Sequence, residues 1–342
     1  MPRLLPALLC LLSFAASRHP QPARSIETLR STGALPAHIA GAFEEIAACH
    51  VSPEQDYLVF DQRSHAVSRV ARDGAGGVKE VVLIGVEPGR LLRPSAFASA
   101  PDGTFIVADA PTGVERVQIF SYLGPMIGGF TLRRRSAPRV TLGNLVLNGV
   151  GSIDYTGRSI LVSDPDSGAL ITEYGLDGAV LRTFGQLRAT GHEADRDLHL
   201  ALNSGYPLAI PKGGFYFVFL TGVPMFRKYD AAGALLYERH IEGMEVDVYL
   251  RALPTRWPRR TTTAGEYPLV SPALRAAAVD RQGSLWISLM APLTYVYDGG
   301  GEKRRTLQFR GAGVFAPTDL FFTRDGRVIA SPGCYTFDIK QG

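Results

Sequence analysis

The stretch PDGTFIVADAPTGVERVQIFSYLG, residues 101–124, is a sentence with punctuation. It opens on the turn Pro101-Asp102-Gly103. The apolar run Phe105 to Ala108 follows and ends on Asp109. A loop then leads to Arg116-Val117-Gln118-Ile119-Phe120, and a second turn stands at Gly124. Short β-branched and aromatic runs bounded by Gly, Pro and Asp predict antiparallel strands joined by tight turns. Whether the chain repeats this order decides the fold.

It does repeat it. An earlier unit has Tyr57 to Asp61, Ala66 to Ala71, a turn at Asp73-Gly74 and Val78 to Ile84. After the quoted unit, which Met126 to Leu132 completes, a third has Ile160 to Asp164, Ala169 to Tyr174, Asp177-Gly178 and Val180 to Phe184. A fourth has Phe215 to Leu220, Met225 to Tyr229, Gly233 and Leu235 to Arg239. A fifth has Leu285 to Leu289, Thr294 to Asp298, Gly300 and Arg304 to Phe309. A sixth has Val328 to Ala330 and Tyr335 to Asp338. The second-turn glycines Gly74, Gly124, Gly178, Gly233 and Gly300 are 50, 54, 55 and 67 residues apart. That is the period of a four-stranded propeller blade with insertions. Many runs are apolar at successive positions, which suits sheets covered on both faces. The reading is an all-β, six-bladed β-propeller of four-stranded antiparallel blades, with short helical insertions between blades. The sixth unit shows only three strands, and an open edge is a liability, so residues Ser25 to Leu29 are expected to supply its outer strand.

Pro94, Asp102-Gly103, Val107-Ala108-Asp109, Arg116 to Phe120 and Gly124 together resemble an NHL repeat, a member of the TolB-like group of six-bladed propellers. The third unit follows the pattern in part. The fourth and fifth replace its Val-Ala-Asp ending by Phe219-Leu220-Thr221 and Ile287-Ser288-Leu289. The resemblance implies an architecture and brings no catalytic motif with it. Propellers similar to gluconolactonase hold a divalent ion in the central channel with Glu, Asn and Asp. Glu44, Asn148, Asn203 and Asp319 have those side chains, and oxygen ligands suit calcium. Their spacing to the first-turn glycines is uneven, which does not favour one ring level.

The bulk composition is that of a chain able to bury a core: 46% hydrophobic and 20% charged over 342 residues. A net charge of +4 without a basic stripe interleaved with aromatics does not point to nucleic acid. Arg3, the apolar run Leu4 to Ala16 and the small residues Ala15-Ala16-Ser17 read as a secretory signal over residues 1–17, leaving 18–342 as a single propeller domain, periplasmic or secreted, with no membrane span after cleavage. An exported chain allows Cys49 and Cys334 to join; two buried thiols are the alternative.

Three linkers between blades are long: Leu132 to Leu147, Gly185 to Tyr206 and Ile241 to Pro272. All three leave an outer strand for the next inner strand, so they emerge on one face and are expected to raise a wall there. Long loops on a rigid scaffold carry function. The second contains His192, Glu193, Asp195, Asp197 and His199. Thr190 with Glu193 reads as a capping box, and Ala194, Leu198, Ala201 and Leu202 fall on one stripe, which predicts a short helix. On it the two histidines lie roughly 10 Å apart, too far to share one zinc. The first and third linkers contain Arg133, Arg134, Arg135 and Arg256, Trp257, Arg259, Arg260. Guanidinium forks suit carboxylate and phosphate oxygens, and an indole can stack on a ligand. These seven residues are the candidate ligand-binding set.

No nucleophile elbow and no phosphate-cradling loop is present, and no cofactor is called for. The expectation is a noncatalytic binding or scaffold protein whose loop-rich face takes a protein, or an acidic small molecule or glycan. The alternative is a divalent-metal hydrolase of the lactonase type at the central channel. The residues leave open whether any reaction is catalysed.

Overall fold

A computed structural model describes residues 25–132, 140–142, 145–147, 150–262 and 265–339. The signal reading, Arg133 to Arg135 and Asn148 lie outside these residues. The chain is a six-bladed β-propeller. From the channel outward, blade 1 is Ile46–Val51, Tyr57–Asp61, Ala66–Val70 and Val78–Val82. Blade 2 is Ala96–Ser99, Phe105–Asp109, Arg116–Phe120 and Met126–Thr131. Blade 3 is Ile153–Tyr155, Ser159–Ser163, Ala169–Gly175 and Val180–Gln186. Blade 4 is Gly205–Ala209, Phe215–Phe219, Met225–Tyr229 and Leu235–His240. Blade 5 is Leu274–Val279, Leu285–Leu289, Thr294–Tyr297 and Lys303–Arg310, and blade 6 is Asp319–Phe322, Arg327–Ser331 and Tyr335–Asp338. Each blade is an antiparallel meander, as the turn punctuation predicts. The second turn of blade 5 pivots on Gly301, at φ 82°, rather than on Gly300.

The apolar runs are explained by what lies on either side of them. Tyr57–Asp61, Phe105–Asp109, Ser159–Ser163, Phe215–Phe219 and Leu285–Leu289 are buried at every position, because each sheet packs against a neighbouring sheet on both faces. An apolar cluster fills each gap between blades, such as Ile106, Val117, Ile160 and Tyr174 between blades 2 and 3, and Tyr216, Phe226, Ile287 and Tyr295 between blades 4 and 5. The outer strands of blades 2 to 4 are mostly exposed.

Closure of the ring corrects one expectation. The N-terminal strand Glu27–Arg30 does not add to blade 6. It pairs in parallel with Lys303–Arg310, the outer strand of blade 5. Leu29 is buried there beside Phe309 and Phe337, and Arg305 forks onto the Glu27 carboxylate at 2.8 and 3.0 Å. Blade 6 receives only the next few residues: Thr32 donates to the Thr336 carbonyl at 2.8 Å, Thr336 to Gly33 at 2.8 Å, and Leu35 to Gly333 at 3.2 Å. The segment therefore bridges the two blades instead of completing one. In this register Leu29 stands opposite Phe309 and packs into the gap between blades 5 and 6.

The last blade meets the first by a covalent bond. Cys49, on the inner strand of blade 1, and Cys334, in the final turn of blade 6, form a disulfide with Cα atoms 5.4 Å apart. Both are fully buried in the cluster of Tyr57, Val59, Val70 and Ile329. The bond spans 285 residues, so it removes much of the freedom of the unfolded chain. Replacing both cysteines by alanine is expected to cost up to about 5 kcal/mol in the loop-entropy limit. Urea unfolding of the oxidised wild type and the double variant checks this, and coincident midpoints would show that the bond does not hold the ring shut.

Candidate functional site

The linkers on the insertion-bearing face are pinned by the carboxylates that end the second strands. Asp61, 2% exposed, accepts from the backbone amides of Glu44 and Glu45 at 2.8 and 3.1 Å and from the Ser64 hydroxyl at 2.6 Å. Asp109 does the same for Leu92, at 3.0 Å, and holds Arg116 at 2.7 Å. In blades 1 and 2 the Asp that closes the apolar run is thus a clamp on the entry to the inner strand. Burial pushes the Asp61 carboxyl up, but the Ser64, Glu44 and Glu45 hydrogen bonds together outweigh it and hold the group below its ordinary 3.8.

On the same face, around the channel axis, opens a cavity of about 850 Å³. Its walls are the first residues of the inner strands and the linkers before them. Phe43 and Glu44 belong to blade 1, Phe97 to blade 2, Ile153 to blade 3, Tyr206 and Leu208 to blade 4, Arg275 and Ala277 to blade 5, and Thr318 and Asp319 to blade 6. Most of this wall is apolar. Polar side chains line it at several blades, with Glu44, Glu45 and Gln62 at blade 1, Ser95 at blade 2 and Ser152 at blade 3; Arg275, Thr318 and Asp319 stand where blades 5 and 6 adjoin. Arg275 sits at an irregularity in the inner-strand register, between Leu274 and Ala276, which are both buried. Such bulges re-aim a side chain. The Tyr206 hydroxyl donates to the Arg275 carbonyl at 2.7 Å and holds the bulge. Arg275 Nε, Thr318 Oγ1 and Asp319 Oδ2 are all buried and have no hydrogen-bond partner among the described residues.

Behind Asp319 stands His50, its Nε2 3.4 Å from Asp319 Oδ2. His50 Nδ1 lies 2.6 Å from Ser99 Oγ, and the ring stacks on Phe321 and meets Phe97 edge-on. In the tautomer with its proton on Nε2, the ring accepts from the Ser99 hydroxyl and turns its N–H toward Asp319. The three side chains come from the inner strands of blades 1, 2 and 6. Asp154, on blade 3, accepts from the Ala209 and Tyr155 amides at 2.7 and 2.9 Å, and burial raises its carboxyl nonetheless. Burial also raises the Tyr206 phenol, and the Asp319 charge adds to this.

The second and third insertions form one wall beside this mouth. Helix α1 spans Ala37–Ala40, before blade 1; α2 is Arg196–Leu202 and α3 is Met244–Arg251. The helix of the second insertion starts later than the sequence suggests, capped by Asp195. Glu193 does reach back to the Thr190 amide at 2.8 Å, but the Thr190 hydroxyl is taken by His199 Nδ1 at 2.7 Å. Leu198, Ala201 and Leu202 are buried with Val270 of the third insertion, and Trp257 packs half-buried against them. Arg259 pairs with Asp195, fastening the hairpin Arg259–Thr262 and Gly265–Pro268 to α2. Arg188 ties the wall to blade 4 through the carbonyls of Leu202 and Val223 at 2.6 and 2.7 Å, and burial pushes its guanidinium down to about 10. Of the predicted ligand set, Trp257 and Arg259 are therefore engaged in the wall, and Arg256 and Arg260 are exposed on it.

Glu44, Asn203 and Asp319 do not gather into an oxygen ring, and Asn148 lies outside the described residues. Asn203 is fully buried and turned to Arg188 and His199, while Glu44 faces Arg63 at the mouth. No group of three His, Cys, Asp or Glu able to hold a metal ion occurs among the described residues. Sequence reasoning missed His50, Ser99 and Arg275. The available signal was a charged or polar residue inside an apolar inner strand, as in Leu274-Arg275-Ala276.

The chain matches no protein-family model and no curated protein. It is similar to solved structures of a streptogramin B lyase (12% identity, 85% of this chain and 91% of that one, TM-score 0.46), a protein of unknown function from Bacteroides caccae (13%, 78% and 78%, 0.44) and a gluconolactonase from Xanthomonas campestris (13%, 86% and 85%, 0.49). The likeness is one of fold.

The Asp61 clamp is open to a direct check. Its lowered carboxyl contributes stability above its ordinary value, and that contribution is lost as pH falls through the folded-state value. Asp61→Ala is expected to cost about 3 kcal/mol at pH 7, from the loss of charge-assisted hydrogen bonds, and progressively less below pH ~3.8. Denaturation midpoints of both proteins across pH 2.5 to 7 measure the gap; a gap independent of pH would contradict the clamp.

Proposed function

We propose that this propeller binds a small organic molecule in its central cavity, at the foot of the loop wall. The observation that carries the reading is the cavity wall itself: about 850 Å³, mostly apolar, with Arg275, Thr318 and Asp319 on one side, each with a buried polar atom that has no hydrogen-bond partner among the described residues. Ligand pockets combine such an apolar lining with a few placed polar groups at this scale. The protein acts as an exported binding protein of the NHL kind; the buried disulfide supports an oxidising compartment. No helix among the described residues is long and apolar enough to cross a membrane.

The exposure of Arg256 and Arg260 favours a second, weaker contact, in which the wall meets an acidic partner. If so, retention on an acidic-glycan column should fall with salt and fall further in Arg256→Ala/Arg260→Ala. Equal elution of variant and wild type at all salt concentrations would remove this contact from the account.

The cavity reading is tested with the fluorescent probe 1-anilinonaphthalene-8-sulfonate, which pairs an aromatic body with an anion. It should bind the folded protein one to one. Ala277→Trp, which places an indole in the cavity, should weaken binding about tenfold, or by about 1.4 kcal/mol, with the melting temperature unchanged. Unchanged affinity in a folded Ala277→Trp protein would place the probe elsewhere and sink the reading.

A further inference from the structure

We infer that the ligand of this cavity is a free α-amino acid with a large apolar side chain. This rests on the cavity reading above and deepens it. Arg275 and Asp319 stand at the cavity wall on neighbouring inner strands, those of blades 5 and 6. They bear opposite charges, yet no ion pair joins them; Arg275 Nε has no hydrogen-bond partner among the described residues, and Asp319 Oδ2 has only His50 Nε2, 3.4 Å away. A buried charge is costly unless it is paired and hydrogen-bonded. Two opposite charges on adjacent strands, not paired with each other, therefore match a molecule that brings the complementary pair.

A zwitterion does this. Its carboxylate takes the guanidinium fork of Arg275, a geometry suited to planar oxyanions. Its ammonium donates to the Asp319 carboxylate, which is partly exposed at the cavity wall. The carboxylate that receives it is backed by His50, and the bulge that aims Arg275 is held by the Tyr206 hydroxyl. The rest of the cavity offers Phe97, Leu208 and Ile153 and suits an apolar or aromatic side chain. A simple anion would leave Asp319 unanswered and facing it, and a simple cation would do the same to Arg275. Each such mismatch leaves a half-buried charge without a partner from the ligand, which is how polar sites discriminate by more than size.

The test is titration calorimetry on the full mature chain with L-leucine, L-phenylalanine, L-tyrosine and L-tryptophan. 3-Phenylpropionate and 2-phenylethylamine serve as analogues of phenylalanine that lack one charge each. At least one amino acid should bind, and the one-charge analogues should be about tenfold weaker or worse than L-phenylalanine. Arg275→Gln should erase the preference for L-phenylalanine over 2-phenylethylamine, and Asp319→Asn its preference over 3-phenylpropionate. The comparison of analogues on the wild type stands even if a variant fails to fold. Analogues that bind as tightly as the amino acid would overturn the inference, as would binding of the naphthalenesulfonate probe with no response to any of the four amino acids. In both cases the cavity reading survives. Loss of cavity binding by the probe as well would defeat the cavity reading itself.

Discussion

A ring of sheets is only as stable as its last joint. Here that joint is the contact between blades 6 and 1, and everything at the channel depends on it. Cys49 and Cys334 join the two blades at the level of the inner strand, inside an apolar cluster. The N-terminal segment adds a second fastening further out, from blade 5 across to blade 6. Blade 6 can thus remain three-stranded without leaving the ring open. The residue next to Cys49 is His50, and its partner Asp319 opens the inner strand of blade 6. The closing joint and the charged side of the cavity are the same place in the molecule. Opening one would disperse the other.

The cavity inherits its form from strand direction. Every inner strand begins on one face, so linkers, insertions and the first residues of all six blades gather there. Carboxylates such as Asp61 and Asp109 hold the linkers, and hydrogen bonds to a charged group are among the stronger ones available. The wall beside the mouth is likewise fixed, by Arg259 on Asp195 and by the Arg188 guanidinium on three backbone carbonyls. A rigid, largely preformed site follows, and preorganisation lowers the cost of binding.

Much of the architecture was legible because turns and apolar runs are local. The spans Phe105–Asp109, Arg116–Phe120, Phe215–Phe219 and Met225–Tyr229 stand where the punctuation puts them. What failed was non-local. The strand Glu27–Arg30 looks equally suited to two edges, and only the gap that Leu29 fills decides between them. Nor does the order of residues reveal that Asp195 lies beside Arg259, within the set read as a ligand-binding surface. Conversely, His50, Ser99 and Asp319 are 49 to 269 residues apart and look unrelated until the ring brings three inner strands together. Arg275 carried a local signal, a charge within an apolar strand, but the repeat reading treated inner strands as scaffold.

The central claim is that the blade 5 and blade 6 side of the cavity is where this protein meets its ligand. The most direct measurement is a crystal structure of the mature protein soaked in a mixture of apolar L-amino acids. The account predicts one molecule in the cavity, its carboxylate on Arg275 and its amine on Asp319. Density at the Arg256 and Arg260 surface with a cavity holding only water would contradict it.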